Sequence, residues 1–274
     1  LKVIPEKEGY PVRDRLLEFH RAYYSANLMC LCVLGKQPLE ELSATVRRMF
    51  GAVVNNNVKV PSGPDFGEGT EPFNSDALPR FVKVIPVRDM RRVDFQFVLP
   101  QEYPMAWRTR PSRYVSLLIG HEGKGSILSI LKAENLATDL SAGPFMDEAG
   151  VCIFGVVLQL TEEGISRVQR VGELIFAYIR LLQATPVDEC LWREKQCIQE
   201  MNFRFKSLSP PVSAVSNIAH IMQDGLPVDK VLSGPSKAWD LDKEGISALA
   251  QRLTCKNLRL LLASKAWKED ECAE

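Results

Sequence analysis

Val12, Leu16, Phe19 and Tyr23 are spaced four, three and four apart, which puts one apolar stripe on a helix, and Pro11 stands where a first-turn proline is tolerated. The period then changes. Leu28 to Leu34 is an unbroken apolar run closed by Gly35, short enough to predict a buried strand. Leu39, Leu42, Val46, Met49 and Phe50 return to helical spacing, with Glu40, Glu41, Arg47 and Arg48 off the stripe. Four prolines and three glycines between Pro61 and Pro79 predict a long exposed loop within one domain. Strand signals resume at Phe81 to Pro86. Val93, Phe95, Phe97 and Leu99 then alternate with Asp94 and Gln96, the period of a half-buried strand. Val87 to Arg92 reads as the connection of an antiparallel pair, with Arg88, Arg91 and Arg92 at its solvated end.

Tyr114 to Ile119 is an apolar run ending at Gly120, and a glycine-rich turn, Gly120 to Gly125, leads to a helical pattern from Ile127 to Leu131. Gly143 and Pro144 mark a break, and Val151 to Leu160 is the strongest strand pattern of the chain. Two long helices follow. One carries Ile165, Val168, Leu174, Ile175, Tyr178 and Leu182; the other starts from Thr185 as N-cap and Pro186, then carries Leu191, Ile198, Met201 and Phe205. A shorter helix spans Val215 to Met222, and Leu258 to Ala263 closes the pattern as a strand. Strands interspersed with helix pairs predict an α+β domain over 1–274, an antiparallel-rich sheet with helices packed on one face.

Composition narrows the function classes. A hydrophobic fraction of 46% and a charged fraction of 25% are those of a globular chain. Lys plus Arg count 34 and Asp plus Glu count 34, so no bulk field favours nucleic acid or an anionic membrane. The longest apolar runs, such as Val151 to Leu158, fall short of the roughly 20 residues of a membrane-spanning helix. Seven cysteines without a C-x-x-C pair suggest a reducing, cytoplasmic setting, with Cys30, Cys32 and Cys152 as buried thiols inside strands. A start at Leu1 and a polar end after Lys268 read as a piece of a longer protein.

The chemistry is sparse. His20, His121 and His220 are far apart in the chain, and His20 and His220 read as structural histidines on amphipathic helices. His121-Glu122 begins the H-E-x-x-H zinc motif, but Gly125 stands at the second ligand position, and the reversed H-x-x-E-H is absent. Gly120 to Gly125 followed by Ser126 lacks the lysine of a phosphate loop; a tight turn fits, and a helix start there could also take an anion on its backbone N–H groups. The residues alone describe an α+β domain without a complete catalytic site.

Phe19-His-Arg-Ala-Tyr-Tyr-Ser-Ala-Asn-Leu-Met29, then Cys32-Val-Leu-Gly35, Leu118-Ile-Gly-His-Glu-Gly-Lys-Gly-Ser126, Leu160-Thr-Glu-Glu-Gly164 and Phe203-Arg-Phe-Lys206 resemble, in this order, the second domain of insulysin-like enzymes of the pitrilysin family. The resemblance runs from about Gly9 to Lys265. It implies a noncatalytic, chamber-lining domain of a zinc metalloendopeptidase that degrades peptides. The H-x-x-E-H zinc site would lie in another domain of the same polypeptide, with no metal held by this segment. It also implies an exosite for the N-terminal end of a peptide substrate, falling on Gly120, Glu122, Leu140, Ser141 and Ala142. Arg113, Ser116, Leu117 and Pro144 stand at further positions of that site but differ from the family's usual residues. A structural subunit of the same fold, like the core proteins of the respiratory bc1 complex, or an isolated peptide-binding module remain the alternatives.

Overall fold

Strands β1 (Arg80–Val84), β2 (Arg92–Leu99), β3 (Ala137–Glu148), β4 (Val151–Leu160) and β5 (Leu258–Ala263) form one sheet in the order β1-β5-β2-β4-β3 in the computed structural model. The structure describes residues 7, 9–59, 73, 77–99, 107–148, 151–223 and 225–267. Most of the proline- and glycine-rich stretch from Pro61 to Pro79 lies outside them. The architecture is α+β as expected, but the sheet is mixed: β1 pairs with β5 in parallel, and the other neighbours run antiparallel.

This corrects the antiparallel pair expected between β1 and β2. The C-terminal strand β5 lies between them, with Phe81 opposite Leu260 and Phe95 opposite Leu260 on its other side. Inserting β5 makes β2 a central strand. Its polar alternates are therefore buried too, Asp94 at 7% exposure and Gln96 at 4%. The basic residues before it are not simply solvated: Arg92 makes a two-pronged ion pair with Asp94 at 2.6 and 2.8 Å, and Arg91 reaches Glu162 at 2.8 Å.

The core lies on one face of the sheet. Val93, Phe95 and Phe97 of β2, Phe154, Val156 and Leu158 of β4 and Leu140 of β3 form it, together with Leu258 and Leu262 of β5. Helices α3 (Pro111–Ile119), α4 (Ile127–Ala133), α6 (Val168–Ala184) and α9 (Lys243–Arg252) supply the opposing layer through residues such as Val115, Leu128, Ile175 and Leu249. Phe176 of α6 meets Phe95 and Phe97 edge-on, with ring centroids 6.3 and 6.1 Å apart, the arrangement ring quadrupoles favour.

Local signals explain the remaining elements. Thr161 caps the short helix α5 (Glu162–Ser166) by accepting the Gly164 N–H at 2.9 Å. Gly164 is required because a Cβ there would collide with the Leu136 carbonyl. Helix α7 (Glu189–Arg204) begins later than expected. Asp188, not Thr185, accepts the Cys190 and Leu191 N–H groups at 2.8 and 3.3 Å, while the Thr185 hydroxyl turns back to the Leu181 carbonyl. Gly143 and Pro144 do not break the chain: both lie within β3, which absorbs a register shift between Pro144 and Met146.

Cα proximity divides the chain into two units, Leu1–Ser62 with Asn202–Ser236, and Gly63–Met201 with Lys237–Glu274. The sheet belongs to the second. The first contains α1 (Val12–Tyr23), α2 (Leu39–Phe50) and α8 (Pro211–Gln223), all with the helical character their spacing predicts. A turn at Ala26–Leu28 is tied to 54–58 by the Ala26 N–H on Val54, the Asn27 amide on Val58 and the Asn56 N–H on Ser25 Oγ. The apolar run Leu28 to Leu34 is a correction: no strand pairs with it among the described residues. Met29, Leu31, Val33 and Leu34 are exposed, and Cys30 and Cys32 are half-buried rather than buried. Apolar composition makes a strand only where a partner satisfies the backbone and covers a face.

Candidate functional site

The small residues Ser112, Ser116 and Gly120 recur every four positions, so they share one face of α3 and its C-terminus. That face lies against β3: a Cβ on Gly120 would stand 3.8 Å from the Ala142 amide nitrogen, and one on Gly143 would stand 3.4 Å from Ser116 Oγ. Bulk at either point would separate helix from strand. Tyr178 of α6 braces the same helix by donating its hydroxyl to the Leu118 carbonyl at 2.9 Å. Burial pushes the Tyr178 hydroxyl above the ordinary tyrosine range.

Beyond Gly120 the chain turns. The Gly123 N–H donates to His121 Nδ1 at 3.1 Å, and Gly125 adopts a φ of +86°, a left-handed conformation that glycine takes without strain. Ser126 then caps α4, its Oγ accepting the Ser129 N–H at 3.1 Å, while the Ser129 hydroxyl donates to the Ser126 carbonyl. Glu122 is exposed on this turn and pairs with no cation among the described residues.

β3 is the outermost strand, paired with β4 alone among the described residues. Leu140 is buried in the core at 3% exposure, Ala142 is half-buried on the same face, and Ser141 points to the other face and is exposed. The structure thus brings Gly120 against Ala142, makes the Leu140 side chain a packing residue, and leaves Glu122 on the adjoining turn. Of the further positions, Pro144 lies on β3 and lines a small hollow with Pro111, Ser112 and Leu249. Arg113 is half-buried; desolvation, with Arg110 nearby, brings its guanidinium down to about 10, and it donates to the Lys237 carbonyl at 3.3 Å.

His20 and His220, expected to be structural, are exposed, as is His121, and His20 stacks on Tyr24 with ring centroids 4.4 Å apart. Among the described residues no three His, Cys, Asp or Glu side chains converge as metal ligands. The described donors therefore form no zinc site. Among the described residues no helix is long and apolar enough to cross a membrane.

The family model described as the peptidase M16 inactive domain matches residues 11–196, and that described as the middle or third domain of peptidase M16 matches 203–274. Insulin-degrading enzyme of Drosophila melanogaster is 33% identical over 270 residues, covering 98% of this chain and 27% of that protein. Insulin-degrading enzyme of Homo sapiens is 34% identical, with shares of 98% and 26%, and human nardilysin is 30% identical, with shares of 99% and 24%. The chain therefore spans about a quarter of the length of these relatives. The crystal structure of pitrilysin shares the fold, with a TM-score of 0.86 at 24% identity over 94% of this chain and 27% of that one. By matches that together take in almost all of the sequence, the chain belongs to the peptidase M16 family, as its inactive domain joined to a middle-domain segment.

Proposed function

We propose that this chain is the substrate-anchoring part of a longer M16 zinc endopeptidase, noncatalytic itself, with hydrolysis carried out by another domain of the same polypeptide. The single observation that supports the reading is that, among the described residues, β3 is the outermost strand, held against Gly120 beside a turn whose Glu122 carboxylate meets no cation. An extended peptide would add to β3 as a further strand. Main-chain hydrogen bonds would hold it with little regard to sequence, and Glu122 would receive the charged N-terminus and set the register. Leu140, Ser141 and Ala142 would act through their backbone groups, and Gly120 through the space it leaves. Six described cysteines, none in a disulfide, support the cytoplasmic setting.

The test uses the full-length protein with its zinc-site glutamate disabled and compares peptides with free and acetylated N-termini. A charge-assisted contact contributes about 1.5–3 kcal/mol, so Glu122→Gln and N-acetylation should each weaken binding roughly tenfold or more. The two should not add, since each removes the same pair. Additive losses, or none, would leave the turn purely structural and return the chain to the class of fold-sharing structural subunits.

A further inference from the structure

His121 is exposed, yet its ring is held in place. Its Nδ1 accepts the Gly123 N–H at 3.1 Å, and a Cβ on Gly123 would stand 2.5 Å from His121 Cε1, so the imidazole occupies the space that the missing side chain leaves. This contact closes a small loop around Glu122. It is the closure that Asn or Asp makes in an Asx-turn, with an imidazole nitrogen in place of the side-chain oxygen. The Gly123 carbonyl in turn accepts the Ser126 N–H at 3.1 Å, which ties the turn to the start of α4, and the Gly120 N–H donates to the Ser116 carbonyl at 2.8 Å, which ties it to α3. Glu122 thus stands between anchored neighbours, and one of the anchors is a side chain that can change its charge.

An imidazole nitrogen accepts a hydrogen bond only while it carries no proton; in the imidazolium both ring nitrogens are donors. Histidine side chains make this change between about pH 5 and 8. Protonation of His121 sets a donor against the Gly123 N–H and places a cation beside the Glu122 carboxylate. The other charged residues on the adjoining elements are Lys124 of the turn, Arg113 of α3, Lys132 of α4 and Asp139 of β3, and none of them pairs with His121 among the described residues.

We propose that His121 is a positioning residue for the anchoring site and makes that site acid-sensitive. The neutral imidazole holds the turn so that Glu122 presents its carboxylate to a peptide N-terminus; the imidazolium releases the turn and competes for the same carboxylate. The inference rests on the anchoring reading of β3 and Glu122, and His121 acts through Gly123 and Glu122 rather than by touching the peptide. Its sign is diagnostic. A free α-amino group, with an ordinary value of about 8, gains charge as pH falls and by itself would bind a carboxylate better, so a loss of anchoring on acidification has to come from the protein.

The test measures the affinity of the full-length protein, its zinc-site glutamate disabled, for a short fluorescent peptide without titratable side chains, with its N-terminus free or acetylated, at about pH 7.5 and about pH 5.5. At the higher pH the parent should prefer the free N-terminus roughly tenfold or more, and at the lower pH that preference should shrink by about fivefold or more. His121→Asn keeps an acceptor for the Gly123 N–H without a titrating ring, so it should keep the preference at both pH values, whereas His121→Ala should lose much of it at both. His121 is exposed, so neither variant removes a core contact. A preference in the parent that does not change with pH, an equal loss in His121→Asn, or an unchanged preference in His121→Ala would each overturn the role of His121 and leave the anchoring reading standing. No preference for the free N-terminus at the higher pH would overturn both.

Discussion

Gly120 at the end of α3 lies against Ala142 of the outer strand, the Cβ position of the one 3.8 Å from the amide nitrogen of the other. The contact couples the turn carrying Glu122 to β3, a strand paired among the described residues with β4 alone. A Cβ at Gly120 would also stand 2.8 Å from the Ser116 carbonyl oxygen, so Gly120→Ala should itself destabilise the protein, and Gly120→Val, which adds bulk toward Ala142, should do so by about 1–3 kcal/mol. Denaturant titration of the two variants checks this; equal stability of Gly120→Val and the parent would mean that α3 and β3 are not held at this spacing.

The Thr161-Glu-Glu-Gly164 corner should respond in two graded steps. Removing the cap in Thr161→Ala costs about 1 kcal/mol. Gly164→Ala drives a methyl into the Leu136 carbonyl, so the loss should be clearly larger than that of the cap. Thermal unfolding of both variants ranks them, and the reverse order would contradict the close approach of Leu136.

A buried tyrosine, Tyr114, and a half-buried one, Tyr178, predict an alkaline limit to stability. Burial raises both Tyr114, whose hydroxyl oxygen accepts the Asp188 N–H at 2.9 Å, and Tyr178, which donates to Leu118. A group whose pKa is higher when folded holds its proton more tightly in the native state. Its contribution is complete below the unfolded value of about 10 and is lost as pH rises through the folded value. Stability should hold up to pH ~10 and fall above it, and the fall should be shallower in Tyr178→Phe, which at neutral pH loses about 1 kcal/mol with its hydrogen bond. Chemical denaturation across that range supplies the comparison.

Thiol labelling should separate the cysteines by burial. Cys190, Cys197 and Cys255 are exposed and should react quickly in native buffer, Cys152 in the core should react only on unfolding, and Cys30 and Cys32 should fall between. Mass spectrometry after timed labelling reads each site. Fast modification of Cys152 would place β4 outside the core.

Patterns within a dozen residues were legible in the sequence because their cause is local. The stripe Val12, Leu16, Phe19, Tyr23 became the helix Val12–Tyr23, and Val151 to Leu160 and Leu258 to Ala263 became strands with those bounds. Helix α9 was missed although its signals are present: Asp242 caps it by accepting the Gly245 N–H at 2.7 Å, and Ile246, Leu249, Ala250 and Leu253 follow at helical spacing. What the sequence could not show is pairing between distant segments. That β5 would enter between β1 and β2 decides which residues are buried on both faces, and no local pattern encodes which strand lies beside Phe95. The same holds for Leu28 to Leu34, whose composition predicts a strand but whose conformation depends on a partner the described residues do not supply. Gly120, Glu122 and Leu140 to Ala142 could be singled out only by family resemblance. Their meeting is a product of register, which is set by how whole faces are buried rather than by the residues that then stand side by side.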